Sequence, residues 1–583
     1  YSYLNSSDRL TAPLINDGKG QVRTDWNRAM GFAVRRLQEV VAGAGTGAVA
    51  GIGSPRVTNE ENYLFQKFLR TAVGTSNIDS EARLGYAPAQ AILKERFGFT
   101  GASTTIDRID TATAVLVLGC DLNAEATGVE YRVIKAATKN DAKLVLANVR
   151  DVKLKKFANT HLAYRPGAEL PLVLGLMKAI IEEGLENKDF IATATSGFEG
   201  LKGELAACQL ASLAEAAGVS EALLREAARN LGGRQVALIF GNDVIRGKEA
   251  AATVNAIASL ALLLGCPTAA SGGIFPIDQK GNTQGMLDMG VAPDCSPGYQ
   301  QLSIPGKDLW QIVEAIEQGQ IKALYLLGCD PLVTFPQSER IRQALSRLEL
   351  LIVQEIASSE LTAMAHVVLP GAAAAEKNGT FTTPDNRVQC LSRAVTPPGE
   401  AREDWDILAE LLTRMTGASH PSKVAEVTAE LKEVSGLYGG SCTVVDGRCG
   451  GLEKAPSARP ASYAFSALPT LAVQPASADR PFTLLVGPMG FHNGSMSTRS
   501  ENNLTVAPTG YLEIAAADAA RLGIADGVAV RLTAEKGSVT GPVKVSAKVP
   551  AGLVFAPFHF RGLSVTALLS GNTNVVCVKA ERA

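Results

Sequence analysis

The chain has 583 residues, a formal net charge of −2 and 46% hydrophobic residues, enough apolar material for ordinary globular cores. Neither sign of charge dominates, which argues against a nucleic-acid or anionic-membrane partner, and the longest apolar runs, such as Ile257–Gly265, fall short of the about 20 residues that span a bilayer. At roughly 100–200 residues per domain, the length divides into roughly three or four domains.

From Asp25 to Glu39 the apolar positions recur at helical spacing, and GAVAGIG at Gly47–Gly53 reads as a buried strand. SPRVTNEENYLF then turns into a helix, with Thr58 the predicted N-cap and Glu61, three residues on, its capping-box partner. The unit of strand, polar turn and helix recurs. It is seen in AVLVLGCDLN with a helix to about Lys139, KLVLANVRD, VALIFGNDV with a helix through Leu264, ALYLLGCDP with SERIRQALSRL, and LLIVQEI at Leu350–Ile356. Apolar runs alternating with helices predict parallel sheets covered on both faces, in at least two doubly wound sheets.

Ile356–Leu391 follows, with the small and polar residues of a strand-to-helix turn, a second apolar run ending at Pro370, and then Glu376, Lys377, Asn378, Gly379 and Thr380 before a short β-like FTT. Buried strands that end in such turns place backbone N–H groups at the carboxyl edge of a sheet, where α/β folds bind ligands. From Ser435 to Asp479 the chain is rich in Gly, Pro, Ala and Ser without periodicity and reads as a linker. After Pro481 short strands (FTLLVGP, YLEIAA, GVAVRLTAEKGSVTGPVKVSAKV, GLVFAPF) alternate with a short helix at Ala516–Leu522, the pattern of a closed barrel.

The nine cysteines include no CxxC, so neither a disulfide framework nor a protein-held zinc or iron–sulfur site is indicated, and the compartment reads as reducing. Cys442 and Cys449, in GGSCTVVDGRCGG, are the one pair placed for a local disulfide. No leader with a charged start and an apolar stretch opens the sequence. GCDLN at Gly119–Asn123 and GCDP at Gly328–Pro331 each end a predicted strand. The Gly lets a phosphate or ring approach the backbone, and the Asp can accept from a ribose hydroxyl or guanine N–H, although the same residues also suit a plain turn with an N-cap.

These segments, in order along nearly the whole chain, resemble the molybdopterin oxidoreductase superfamily, whose formate dehydrogenase and nitrate reductase members hold a bis-pterin guanine dinucleotide. The resemblance is carried by VQEI, ELTAMAHVVLP and EKNGTFTTPDNRVQ, by SPRVTNEENYLFQKFLR, GTSNIDSEARLG, GCDLNAE, RPGAE, NTQGMLDMG and LLGCDPL, and by FHNGSMSTRS and PFHF near the end. It implies an α/β fold with two doubly wound parallel-sheet domains plus a C-terminal double-psi β-barrel. The domains expected are residues 1–25 as a remnant of an iron–sulfur domain, 26–84 with 280–434, 85–279, a linker at 435–479, and a barrel at 480–583. The opening YSYLNSSDRLTAPLI resembles the piece that follows the last cysteine of a [4Fe–4S] site, so that cluster is expected upstream of this chain.

The resemblance also implies a set of cofactor contacts: Gly119, Asp121, Asn123, Arg150, Arg165, Gly167, Glu169, Gly241, Asn242, Gln284, Gly328, Asp330, Thr362 and Lys377, with His492, Asn493, Ser495, Arg499 and His559 in the barrel loops. Asn148 and Arg150 stand where the family usually has Asp-Pro-Arg, and Glu169 where it has Asp. His161, His366 and His420 take a structural reading. In metal-active members the residue two after the Arg of NIDSEAR is Cys, selenocysteine, Ser or Asp, and it ligates molybdenum or tungsten. Here it is Gly85, which has no donor atom, followed by Tyr86 where formate dehydrogenases often have His. Asp278 replaces their substrate-orienting Arg and would repel formate rather than clamp it.

The first reading is therefore the body of the G subunit of bacterial NADH-quinone oxidoreductase (complex I), not catalytic by itself. Its partners would be the other subunits of a respiratory NADH dehydrogenase, and it would be cytoplasmic, peripheral to the inner membrane through that complex, with no span of its own. Two alternatives stay open: a bis-pterin molybdenum or tungsten oxidoreductase whose metal has no protein ligand, and a cofactor-free interaction scaffold.

Overall fold

The computed structural model describes residues 2–16, 18, 20–268, 270–419, 421–439, 442–445, 448–452, 454, 457–471, 478–492 and 494–583. The chain divides into two compact units, Tyr1–Arg83 with Lys280–Pro456, and Leu84–Gln279 with Ser457–Ala583.

The first unit is built on a seven-stranded sheet in the order Gln21–Arg23, Leu14–Asn16, Val367–Pro370, Leu350–Glu355, Ala323–Leu327, Val49–Gly53, Ile78–Ser80. The last five are parallel, and the first two, both within residues 1–25, run antiparallel along the edge. Every residue of Val49–Gly53, Ala323–Leu327 and Leu350–Glu355 is buried, as expected of strands covered on both faces.

The helix Asn59–Lys67 starts in the predicted capping box: Thr58 N donates to Glu61 Oε2 over 2.7 Å, and Glu61 N donates to Thr58 Oγ1 over 3.2 Å. Its first turn is fully buried although it reads Asn59, Glu60, Glu61, Asn62. Buried charge is tolerated only when paired. Glu60 accepts from Thr380 N (2.8 Å), Thr380 Oγ1 (3.0 Å) and Thr428 Oγ1 (2.9 Å). Lys377 Nζ lies 2.8 Å from Glu61 Oε2 and 2.7 Å from Asp404 Oδ2.

Part of the stretch read as a linker is ordered differently. Cys442–Val445 and Arg448–Leu452 pair with each other, and the second also pairs with Val388–Leu391 beside Gly379–Thr382, making a four-stranded sheet. The two strands are too short to show a period, and the sequence sign of them is the Asp-Gly dipeptide at 446–447 between them. The suggested Cys442–Cys449 disulfide and the structural reading of His420 lie outside the described side chains.

The second unit carries five parallel strands in the order Gly273–Pro276, Val236–Phe240, Ala114–Leu118, Lys143–Ala147, Thr160–Leu162. Helices that include Tyr86–Phe97, Thr127–Lys139, Glu169–Glu182 and Ala250–Leu263 accompany them. Its C-terminal part is a closed barrel ordered Phe482–Gly487, Leu553–Pro557, Leu512–Ala515, Gly537–Ser546, Ala529–Ala534, Val575–Arg582. Leu484, Leu512, Leu532, Val554 and Val578 are among the residues of its core, and the predicted helix Ala516–Leu522 is present. No described helix is long and apolar enough to cross a membrane.

Candidate functional site

In each unit the chain forms one strand, adds neighbours on one side, and returns to build on the other. Such reversals open a crevice at the carboxyl ends of the two strands that flank them. In the second unit the reversal falls between Ala114–Leu118 and Val236–Phe240, so Gly119–Asp121 and Gly241–Asp243 face one another. Both glycines are required by space: a Cβ on Gly119 (φ +59) would lie 2.9 Å from Val244 Cγ2, and one on Gly241 only 2.4 Å from Cys120 Cβ.

Glu125 joins the two loops, accepting from Asp121 N (2.9 Å) and Asn242 N (3.1 Å). Burial pushes its pKa well above the ordinary carboxylate value. Asn148 donates through Nδ2 to Cys120 O over 3.0 Å and accepts from Arg150 N at 3.0 Å, so it braces this edge from a third strand. The Arg150 guanidinium lies 3.7 Å above the centre of the Phe555 ring and 3.8 Å from Asp121 Oδ2. Asn574 Nδ2 donates to Asp243 Oδ1 over 3.0 Å. Arg150 Nε and Asn574 Oδ1 are buried and have no hydrogen-bond partner among the described residues. Burial raises Asp243 to about 6 and Glu169 to about 8.

The other expected contacts in this unit are scattered in kind. Asn123 Nδ2 donates to Glu130 Oε2 over 2.9 Å. Arg165 is exposed, and Gly167 adopts φ +79 just before the helix that Glu169 begins. His492 and His559 are fully buried, with ring centres 5.7 Å apart, and both contact the Phe560 ring. His492 Nε2 donates to Ala507 O over 2.8 Å, a loop-bracing role. Ser495 and Arg499 are half-buried in the same loop, and Asn493 lies outside the described residues.

In the first unit the reversal falls between Val49–Gly53 and Ala323–Leu327. Gly328 takes φ +62, and Asp330 accepts from Leu332 N over 3.1 Å while burial raises its pKa. Arg56 Nη2 meets Glu355 Oε1 at 2.5 Å. Burial works to lower the Arg56 pKa, but the charges of Glu355 and Glu81 outweigh it and the net shift is upward. Three of the residues expected to touch cofactor are engaged in internal networks. Lys377 sits between Glu61 and Asp404. Gln284 donates to Asp288 Oδ1 over 2.8 Å in a cluster completed by Tyr299, Tyr438 and Lys454. Thr362 closes a capping box with Ser359.

Gly85 precedes the helix Tyr86–Phe97, and its absent side chain has no room to exist: a Cβ would lie 2.7 Å from Arg246 Cγ and 3.0 Å from the Ile245 carbonyl oxygen. Tyr86 is buried, and Asp278 is half-buried just beyond Gly273–Pro276. Among the described residues no group of three His, Cys, Asp or Glu side chains is arranged to hold a metal ion.

Sequence reasoning singled out the Gly-Cys-Asp and Gly-Asn turns but missed Glu125, Asp243, Asn574 and the Arg56–Glu355 pair. Glu125 and Asp243 lie within a few residues of the quoted turns and were within reach. Glu355 likewise ends the quoted strand LLIVQE, whereas Asn574 is brought in by tertiary folding alone.

Residues 9–414 match the family described as Molybdopterin oxidoreductase. The chain belongs to the molybdopterin oxidoreductase family. Residues 488–582 match the Molydopterin dinucleotide binding domain, which corresponds to the barrel and supports a molybdopterin cofactor. Among curated members, the NADPH-Fe(3+) oxidoreductase subunit alpha of Geobacter sulfurreducens is 55% identical over 597 residues, covering 100% of this chain and 69% of the relative. The F420-dependent formate dehydrogenase subunit alpha of Methanocaldococcus jannaschii is 30% identical, covering 99% and 90%, and formate dehydrogenase H of Escherichia coli is 29% identical, covering 95% and 83%. Acetylene hydratase from Pelobacter acetylenicus superposes with a TM-score of 0.80 at 15% identity, over 100% of this chain and 93% of that one, a likeness of fold.

Proposed function

We propose that this chain is the pterin-binding body of the large subunit of a multi-subunit, nicotinamide-linked electron-transfer oxidoreductase, and that it does not oxidise formate. The observation that carries this reading is Gly85, a ligand position with neither a donor atom nor space for one. Asp278, in place of a cation, works in the same direction. Of the two nicotinamide-linked assemblies that suit such a body, 55% identity to an NADPH-Fe(3+) oxidoreductase alpha subunit favours that kind over the G subunit of NADH-quinone oxidoreductase. Both agree with a [4Fe–4S] cluster held outside this chain, with partner subunits, and with a cytoplasmic place peripheral to the membrane.

At the edge of the second unit, Gly119 and Gly241 let the two loops close on one another where a pterin dinucleotide would lie. Arg150 Nε and Asn574 Oδ1 offer a buried donor and acceptor, and Asp121, Asp243 and Glu169 offer acceptors for ribose or base. Glu169, raised to about 8, holds a proton at neutral pH and can donate as well as accept. When bound, the cofactor would supply a dithiolene able to hold a redox-active metal ion. The barrel loop braced by His492 Nε2 on Ala507 O is positioned without lending its ring to chemistry.

The test is purification of the chain with its natural partner subunits, followed by metal mass spectrometry, extraction of guanine dinucleotide, and assay of NADPH-driven ferric chelate reduction and of formate oxidation. Ferric reduction by the assembled complex, with no formate turnover, is expected. Stoichiometric molybdenum or tungsten together with formate oxidation would overturn the reading.

A further inference from the structure

Position 85 is closed from a second place in the sequence. Of the atoms a Cβ on Gly85 would meet, Arg246 Cγ at 2.7 Å is nearer than real Cβ contacts come, and the Ile245 carbonyl oxygen at 3.0 Å is backbone and cannot rotate aside. Cγ lies near the root of the Arg246 side chain, so swinging the guanidinium does not clear it. The residue is also tethered on both sides: Nε donates to Asn572 O over 3.3 Å, and its own carbonyl accepts from Asn574 N at 3.0 Å.

On the reading of position 85 given above, the geometry points to Arg246 as the residue that keeps this chain from gripping a metal. With Ile245 it crowds the Cβ from which any Cys, selenocysteine, Ser or Asp side chain would have to start. Loss of the ligand is thus held by two positions, and restoring a donor atom at one of them does not rebuild a ligand. Arg246 thereby sets which chemistry the fold can host, although it lies far from Gly85 in sequence and belongs to none of the motifs that mark the family resemblance.

The experiment compares the wild type, Gly85→Cys, Arg246→Ala and the double variant, by thermal midpoint and by alkylation of the introduced thiol in the folded protein. Gly85→Cys is expected to lower the midpoint by roughly 2–4 °C or more, the cost of overpacking in a unit of this size. The Arg246→Ala background should return about half of that loss or more, since contacting positions do not add, and the introduced thiol should alkylate faster in the double variant than in Gly85→Cys alone. Equal losses in both backgrounds would overturn the assignment. Should Gly85→Cys fail to accumulate, Gly85→Ala with and without Arg246→Ala makes the same comparison. Finding metal and formate turnover in the wild type would sink the functional reading and leave this coupling untouched, so the two failures are distinguishable.

Discussion

Arg9 and Glu376 meet in a two-pronged ion pair, Nη1 to Oε1 at 2.8 Å and Nη2 to Oε2 at 2.6 Å, across 367 residues of sequence. Both side chains are almost wholly buried, and Arg9 also donates to the carbonyls of Leu4 and Ile356. The start of the chain is thereby fixed to the turn that leads into Lys377. Removing one partner leaves a buried charge uncompensated, so Arg9→Met is expected to cost ~3–5 kcal/mol in denaturant unfolding, and Arg9→Met/Glu376→Met clearly less than the sum of the singles. Additive losses would show that the pair does not act as one.

Lys377 neutralises two buried acids at once, so its loss should depend on pH. In Lys377→Met, Glu61 and Asp404 face each other without a cation, and at acidic pH a proton can take its place. The variant should therefore lose more stability at pH 8 than at pH 5, with a deficit of ~3–5 kcal/mol at the higher pH. Thermal unfolding at the two pH values checks this, and a deficit independent of pH would contradict it.

Glu169 gives a second pH dependence with a defined sign. Its pKa rises from 4.5 to about 8 on folding through burial, so the folded state holds the proton more tightly than the unfolded chain. The stability that this contributes is fully present below 4.5 and is lost as pH rises to about 8. Glu169→Gln keeps the shape without the titration. The stability of this variant relative to wild type should improve steadily between those limits, which parallel thermal scans across the window would show.

Gly241→Ala tests the crevice of the second unit. Its Cβ would sit 2.4 Å from Cys120 Cβ, so the loops must separate, at a cost of ~1–3 kcal/mol, and the Asn242 N to Glu125 contact should weaken. The same variant should retain less extractable guanine dinucleotide than wild type. Unchanged stability and pterin content would show that the two loops do not need to lie this close.

Much of the architecture was legible because parallel strands buried on both faces announce themselves as short apolar runs. AVLVL, VALIF, ALYLL and LLIVQE each became a strand as read. Thr58 and Glu61 formed their capping box because that motif is local. The pairing of the edge strand Leu14–Asn16 with Val367–Pro370 is made between distant segments and was not legible, whereas Cys442–Val445 and Arg448–Leu452 pair locally, and the Asp-Gly between them in the sequence was a hairpin signal within reach. At the crevices, the turns read from the sequence lie at the strand ends where the strand order reverses. The sequence did not show that Lys377 and Gln284 would be drawn into internal networks, since Asp404 and Asp288 reach them only through the fold.

The turn Gly-Cys-Asp occurs at the reversal point of both sheets, with Cys120 and Cys329 as the middle residues of the two turns. Both thiols are sealed from solvent and, through burial first, held far from their reactive anionic form. Each crevice therefore carries its own silent chemical reporter. A probe that labels Cys120 or Cys329 in native protein records a moment when that loop lifts, and the relative labelling rates tell which of the two units breathes first.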